Sequence, residues 1–325
     1  MSNNSVESKA YELKDGVLTI YDGTALEREY FDDCSDIVKV NLPDGLKEIP
    51  EETFAEDYNL AEADIPDSVE SIGYRAFASC KRLKSIVLPK KLESIGNSAF
   101  AYTGLNNIKI PESVKEIGDS AFFRTAFQEI TIPQNVQKIE GGTFAECQDL
   151  REVTVEGNAL TDICLRAFKN CKNLESVSLP ESIKLIGESA FLGCESLKEI
   201  TIPASSRCII DPDAFKDCTN LKKVALGMGA EVVKPGAFAN CTDLKRIDFA
   251  GGQPWIWWGT FDGVSDNTIV GYKGREINVK DLKAVLSDPE GYPSKLSDEL
   301  IDEALAKQAE KEKKPEKKKH AYRGR

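Results

Sequence analysis

Residues 65–89 read IPDSVESIGYRAFASCKRLKSIVLP, and most of the chain is written as variations on this stretch. Its apolar positions are Ile65, Val69, Ile72, Ala76, Phe77, Cys80, Leu83, Ile86 and Leu88, with Pro66 and Pro89 after the first and last of them. Working outward in both directions, the same frame returns around Phe54, Phe77, Phe100, Phe122, Phe144, Phe168, Phe191, Phe215, Phe238 and Phe261. Neighbours in that series lie 22 to 24 residues apart. Self-similarity at such a period marks a solenoid, in which each unit stacks only on its neighbours.

Within each unit the segment Leu-x-x-Ile-x-Ile/Leu recurs, as in Leu83, Ile86, Leu88 and in Leu197, Ile200, Ile202. Its last three positions have the period of two expected of a strand. The proline that follows in most units has no N–H to donate and ends the pairing. One parallel strand per coil of about 23 residues is predicted, stacked at ~4.8 Å, so that ten coils make a rod or arc about 50 Å long. The fold class is therefore a repeat solenoid, mostly β and irregular, with a helical C-terminal extension. A single coil cannot bury its own apolar face, so the stack is the stable unit.

Three columns of the frame carry further expectations. Ala or Thr precedes most of the repeat phenylalanines, which implies a crowded inner turn, with the rings stacking coil on coil. Gly73, Gly96, Gly118 and Gly187 follow the second conserved apolar position, but Pro50 occupies the same place. Proline forbids positive φ, so this site is tight without being left-handed. Cys80, Cys147, Cys171, Cys194, Cys218 and Cys241 each lie three residues after a phenylalanine, where Asp57, Thr103 and Thr125 stand in other coils. These are read as small buried side chains rather than disulfides, because parallel side chains on adjacent coils make poor disulfide geometry. Cys34, Cys164 and Cys208 fall outside the column and are the candidate reactive thiols.

The frame Leu-x-x-Ile-x-Ile-Pro-x-x-Val-x-x-Ile-Gly-x-x-Ala-Phe-x-x-Cys resembles the BspA-type leucine-rich repeats, for example over Leu174–Leu197. The resemblance covers roughly residues 34–272. It implies a leucine-rich-repeat solenoid that binds other proteins, often at a cell surface. Asp15-Gly16-Val17-Leu18-Thr19-Ile20 looks like the N-terminal capping strand common in such proteins. The expected organisation is an N-terminal cap over 1–33, repeats over 34–272, a helical C-terminal cap over 273–306 and a basic, disordered tail over 307–325. In the helical part, Asp281–Leu286 reads as one short helix. Ser297 can cap a second helix with Leu300, Ile301, Ala304 and Leu305 on one side.

The chemistry of catalysis is poorly supplied. The one histidine of the chain is His320, in the basic tail. That leaves Ser-His-Asp, Cys-His and His-Glu-x-x-His arrangements without their imidazole in the repeats. No two cysteines are spaced as Cys-x-x-Cys. Gly227-Met228-Gly229 lacks a third glycine and reads as a loosened turn. No cofactor is expected, and the chain is not expected to be an enzyme. The net charge is −12 while the tail is strongly basic, so the body is more acidic than the total indicates. An acidic body disfavours nonspecific nucleic-acid binding, leaving the tail as the one part able to contribute it. No apolar run reaches the ~18 residues of a membrane span. No basic segment followed by an apolar one opens the sequence, so a cytoplasmic location is expected, with the cell surface implied by the family resemblance.

The leading function is thus a non-catalytic scaffold that presents its repeat surface to a protein partner. A surface or host-directed adhesin exported without a recognisable signal is the alternative, and an enzyme comes third. Two groups of residues are candidate binding sites. The outward positions of the strand carry a hydroxyl stripe, Thr131, Thr154, Ser178 and Thr201, which passes into a basic end at Lys222, Lys223, Lys245 and Arg246. The second group is Trp255, Trp257 and Trp258, in the last coil. Exposed together they would form an adhesive patch. Terminal coils must be covered, however, and capping is the favoured role for this segment.

Overall fold

The computed structural model describes residues 10–23, 26, 36–204, 207–286 and 292–312. The Leu-x-x-Ile-x-Ile segments form strands such as Glu129–Ile132, Glu152–Val155, Glu199–Ile202, Lys223–Leu226 and Arg246–Phe249. They pair in parallel with the equivalent residues of the next coil, Glu199 with Lys223 and Lys223 with Arg246. Alternation sets the faces: Ile130, Ile132, Ile200 and Ile202 are buried, while Thr131 and Thr201 point out. The whole is a β-solenoid of about 11 turns.

Each coil also contains a second strand, usually of two residues. Ser71–Ile72, Ser94–Ile95 and Glu116–Ile117 pair in one sheet. Another sheet takes the series on from Lys138–Ile139 to Trp255–Ile256. One-residue alternation governs this ladder too, with Ile72, Ile95, Ile139, Ile186 and Ile256 inward.

The phenylalanine segment supplies a third set of inter-coil bonds. The N–H groups of Arg75, Phe77 and Ser79 donate to the carbonyls of Asn97, Ala99 and Ala101, at 2.7–3.0 Å. To aim alternate N–H groups at the neighbouring coil, the residues two before and two after each phenylalanine turn left-handed. Arg75 and Ser79 have φ of 52° and 66°, and Ser98 and Tyr102 have 54° and 59°. Positive φ is uncommon for such residues and costs of order 1 kcal/mol or more each, which the bonds between coils must offset. Gly73, Gly96, Gly118 and Gly187 are absent from the positive-φ positions. Their requirement is space: a Cβ on Gly96 would lie 2.7 Å from the carbonyl carbon of Gly73.

The ten rings form one stack. Centroids from Phe77 to Phe238 are 5.1–5.6 Å apart with planes within 9° of parallel. Beside them, Ala76, Ala99, Ala167 and Ala190 are fully buried, as the crowded turn requires. The six cysteines of the column are buried, and each thiol donates to the carbonyl of the preceding coil's phenylalanine. Cys80 bonds to Phe54, Cys171 to Phe144 and Cys194 to Phe168, at 3.1–3.2 Å. Cysteine is therefore more than a small apolar filler here: it supplies a donor to a buried carbonyl.

At the start, Tyr11–Lys14 and Val17–Ile20 form an antiparallel hairpin whose second strand joins the first ladder beside Lys39–Asn41. At the other end, Arg275–Asn278 turns back antiparallel on Ile269–Tyr272. Helix α1 (Val279–Val285) and helix α2 (Asp298–Glu312) follow. Ser297 Oγ accepts the Leu300 N–H at the start of α2, and Ile301 and Ala304 are buried. α2 takes in residues 307–312 of the basic tail; residues 313–325 lie outside the described residues.

Candidate interaction surfaces

With three columns of backbone bonds fixing the coils in register, every outward position becomes a column on the surface. Function is then a question of which columns carry something other than ordinary solvated side chains.

The first ladder shows the hydroxyl stripe. Thr131 and Thr154 are register partners, Ser178 N–H bonds to the Val153 carbonyl one coil on, and Thr201 continues the column. All four are exposed. The basic end is less uniform than its composition indicates. Arg246 is held by Asp248 at 2.7 Å and by Glu276 at 2.7 Å, which push its pKa above the usual value. Lys222, Lys223 and Lys245 are exposed, and no ion pair joins them among the described residues. The acidic partners of Arg246 come from the same strand and from the C-terminal hairpin, a pairing that the repeat frame could not indicate.

The second ladder carries a feature that sequence reasoning missed. Its outward column runs Glu48, Ser71, Ser94, Glu116, Lys138 and Asp162, and then changes to Leu185, Ile209, Val232 and Trp255. The last four are consecutive register partners. Leu185, Ile209 and Val232 are half-buried and Trp255 is 44% exposed. Met228, 66% exposed, shares a shallow depression of about 290 Å³ with Trp255, Arg207, Glu231 and Lys295. Apolar residues doublets such as Leu185-Ile186 and Val232-Val233 were the available signal, since one of each pair must face outward on a strand. A larger depression of about 1020 Å³ lies over the earlier coils of the same ladder, between Ser94 and Glu140, and its lining is mainly polar.

The tryptophans do not serve as the lid. The end of the stack is covered by the α helices, whose Leu282, Leu286, Ile301 and Ala304 are buried, and by Ser294–Lys295, which pairs antiparallel with Trp255–Ile256. Trp258 is 60% exposed and Trp257 half-buried. Strand alternation explains the outcome: Ile256 takes the inward place, so its neighbours Trp255 and Trp257 cannot. The structure also separates the three. Trp255 lies on the apolar column, whereas Trp257 and Trp258 line a recess at the phenylalanine corner.

The expected reactive thiols are not activated. Cys208 is buried and its pKa is pushed up to about 12 by desolvation. Cys164 is partly exposed, yet desolvation and then Glu140 push it to about 12 as well. Reactive cysteines need a lowered pKa, and these have the reverse. Cys34 lies outside the described residues. Among the described residues no group of three or more His, Cys, Asp or Glu is arranged to hold a metal ion. No helix among them is long and apolar enough to cross a membrane.

The repeat frame has counterparts in known proteins. The BspA-type leucine-rich repeat region matches in 6 copies over residues 17–127 and 137–266, and the chain belongs to that family. Among solved structures it is similar to a leucine-rich repeat protein from Bacteroides ovatus ATCC 8483, at 25% identity and a TM-score of 0.60, covering 81% of this chain and 77% of that one. It is also similar to a leucine-rich cell surface protein from Faecalibacterium prausnitzii A2-165, at 23% identity and a TM-score of 0.40, covering 75% and 87%. A leucine-rich repeat protein from T. pallidum matches at 26% identity and a TM-score of 0.41, covering 57% and 86%. No curated protein matches the chain in sequence.

Proposed function

We propose that this chain is a non-catalytic scaffold that holds a protein partner against the second ladder of its last four coils. The observation that carries the reading is the outward column Leu185, Ile209, Val232 and Trp255, apolar in four consecutive coils after six coils of charged or small polar residues. Single apolar residues on a surface are ordinary, but a contiguous row extended by Met228 is the kind of patch that marks an interaction site. Trp, Met and Arg, all present here, are enriched in interface cores. The rim supplies Lys184, Arg207 and Lys295 against Glu231 and Asp162, on a protein of net charge −12. The partner segment that fits presents apolar side chains flanked by carboxylates.

The test is site-specific crosslinking. A photo-reactive residue at Ile209 or Val232 should trap a protein from the native organism, and one at Ser71 on the same ladder should not. The trapped species should be lost from a Val232→Glu, Trp255→Glu variant that melts like the parent. Adducts formed instead from Thr154 or Thr201, and abolished by Glu at Lys222, Lys223 and Lys245, would move the site to the first ladder and refute this assignment.

A further inference from the structure

We propose that the recess beside Trp257 and Trp258 is a saccharide-binding site, separate from the apolar column. The recess has a volume of about 540 Å³, within the ~300–1,000 Å³ of small-ligand sites. Three consecutive coils line it with the same few columns of the repeat. Asp213 and Lys216 come from one coil, Pro235, Gly236, Ala239 and Asn240 from the next, and Trp257, Trp258, Gly259 and Asp262 from the last.

Two departures from the frame create it. The first is the loss of side chains two residues before the phenylalanine. Arg75, Ser98, Arg166 and Asp213 occupy that column elsewhere and Gly142 stands there in a single coil, but here two successive coils have Gly236 and Gly259, both at positive φ. A Cβ on Gly236 would stand 2.1 Å from Asp213 Oδ1, so any side chain there would displace the carboxylate and fill the space. The second departure puts two indoles where other coils have pairs such as Gly96-Asn97 or Gly118-Asp119.

The chemistry of the lining selects the ligand. An indole face is electron-rich and broad, and it matches the slightly positive C–H face of a pyranose ring. Sugar hydroxyls then need acceptors and donors around the edge of that platform. Asp262 is exposed beside it, and Asn240 donates one amide N–H to Asp217 Oδ1 at 2.8 Å, which fixes the amide and leaves its second N–H for a ligand. Lys216 bonds to Asp213 at 3.3 Å. That ammonium partly balances the carboxylates and places a like charge against any organic cation. Asp213 and Asp262 outnumber Lys216, so charge alone also admits a quaternary ammonium group, the other ligand that aromatic faces attract; what favours a hydroxyl-rich ring is the set of hydrogen-bonding groups at the edge, Asn240, Asp262 and Lys216.

The experiment titrates the full chain with cellobiose, chitobiose, maltose and lactose, following tryptophan emission and saturation-transfer NMR. At least one disaccharide should saturate a single site with a Kd below about 10 mM. Trp258→Ala and Asp262→Ala should each weaken it by ~10-fold or more, a hot-spot effect, while Trp258→Phe retains part of the affinity and Trp255→Ala all of it. Trp258 is exposed, so these variants should keep the parent circular dichroism and melting curve. Absence of saturation by all four sugars up to about 50 mM would overturn the proposal. So would saturation that survives Trp258→Ala, or tetramethylammonium binding at the same tryptophan more tightly than every sugar.

Discussion

The buried thiol column makes the stability of this solenoid sensitive to alkali. Desolvation raises Cys147 to about 11 and Cys241 to about 12, and holds Cys171, Cys194 and Cys218 well above the normal thiol range. In the unfolded chain each thiol returns to about 8.5. Between those values the folded state keeps its proton and the unfolded state loses it. The native state then binds more protons, and stability falls as pH rises. The contribution is fully present below about pH 8.5 and is lost progressively toward pH 12. One unit above the unfolded pKa, each thiol has cost the folded state RT ln 11, about 1.4 kcal/mol. Cys171, Cys194 and Cys218 together account for about 4 kcal/mol at pH 9.5 on the same basis. The control exchanges these three for threonine, the residue that two other coils hold at this position. Thr103 and Thr125 are buried there and donate to a phenylalanine carbonyl at 2.8 and 2.9 Å. Urea unfolding from pH 7.5 to 10 should show the parent losing stability more steeply than the triple variant, with the difference growing by about 4 kcal/mol by pH 9.5. Parallel pH dependences would refute the argument, because they would mean that the thiols ionise equally in both states.

Three further outcomes follow from the packing. Phe168→Ala should cost about 3–5 kcal/mol, more than Phe261→Ala, because Phe168 stacks on rings at 5.4 and 5.2 Å on its two sides while Phe261 has one neighbour at 6.2 Å; equal losses in urea titrations would contradict a continuous stack. Gly96→Ala should destabilise by at least ~2 kcal/mol despite ordinary backbone angles, since its Cβ would meet backbone atoms at 2.7 Å. A wild-type-like melting temperature would disprove that crowding. Tryptophan emission should be red-shifted and readily quenched by acrylamide, with Trp255→Phe and Trp258→Phe together removing most of the quenchable signal, because these two are 44% and 60% exposed. Blue, protected emission would instead restore the capping role.

Much of this architecture is written plainly in the chain because burial repeats with the period. Phe, Leu and Ile recur where the coil faces inward, and the alternation Ile130-Thr131-Ile132 exposes both the strand and its outward column. The second ladder was harder to read, since Ser71-Ile72 or Asp162-Ile163 is too short to display an alternation of its own. The left-handed positions were invisible for a different reason. Arg75, Tyr102 and Arg124 have no local preference for positive φ, and it is the pull of the neighbouring coil's carbonyls that puts them there. The role of the cysteines as donors likewise depends on a carbonyl one coil away. At the tryptophans, composition suggested a lid, but the inward demand of Ile256 decided which way the flanking indoles point.

The apolar column is also where the backbone departs from regular register and then recovers it. Between the coil of Cys208–Ile210 and that of Ala230–Val233 the pairing slips, Cys208 with Ala230 but Ile209 with Val232, so that Glu231 is an extra residue in the second coil. A one-residue slip left uncorrected would turn Val232 into the core and Val233 out of it. The bulge absorbs the slip instead, keeping Val233 fully buried and Val232 outward beside Ile209 and Trp255. Core packing alone requires Val233 to point in. It places no demand on the side chain beside it, and the coils before Leu185 satisfy the same frame with Glu116, Lys138 or Asp162 in that outward place. The restored register therefore accounts for where the column stands, and core packing leaves its apolar character unspecified, which is the ground on which the proposed partner site rests.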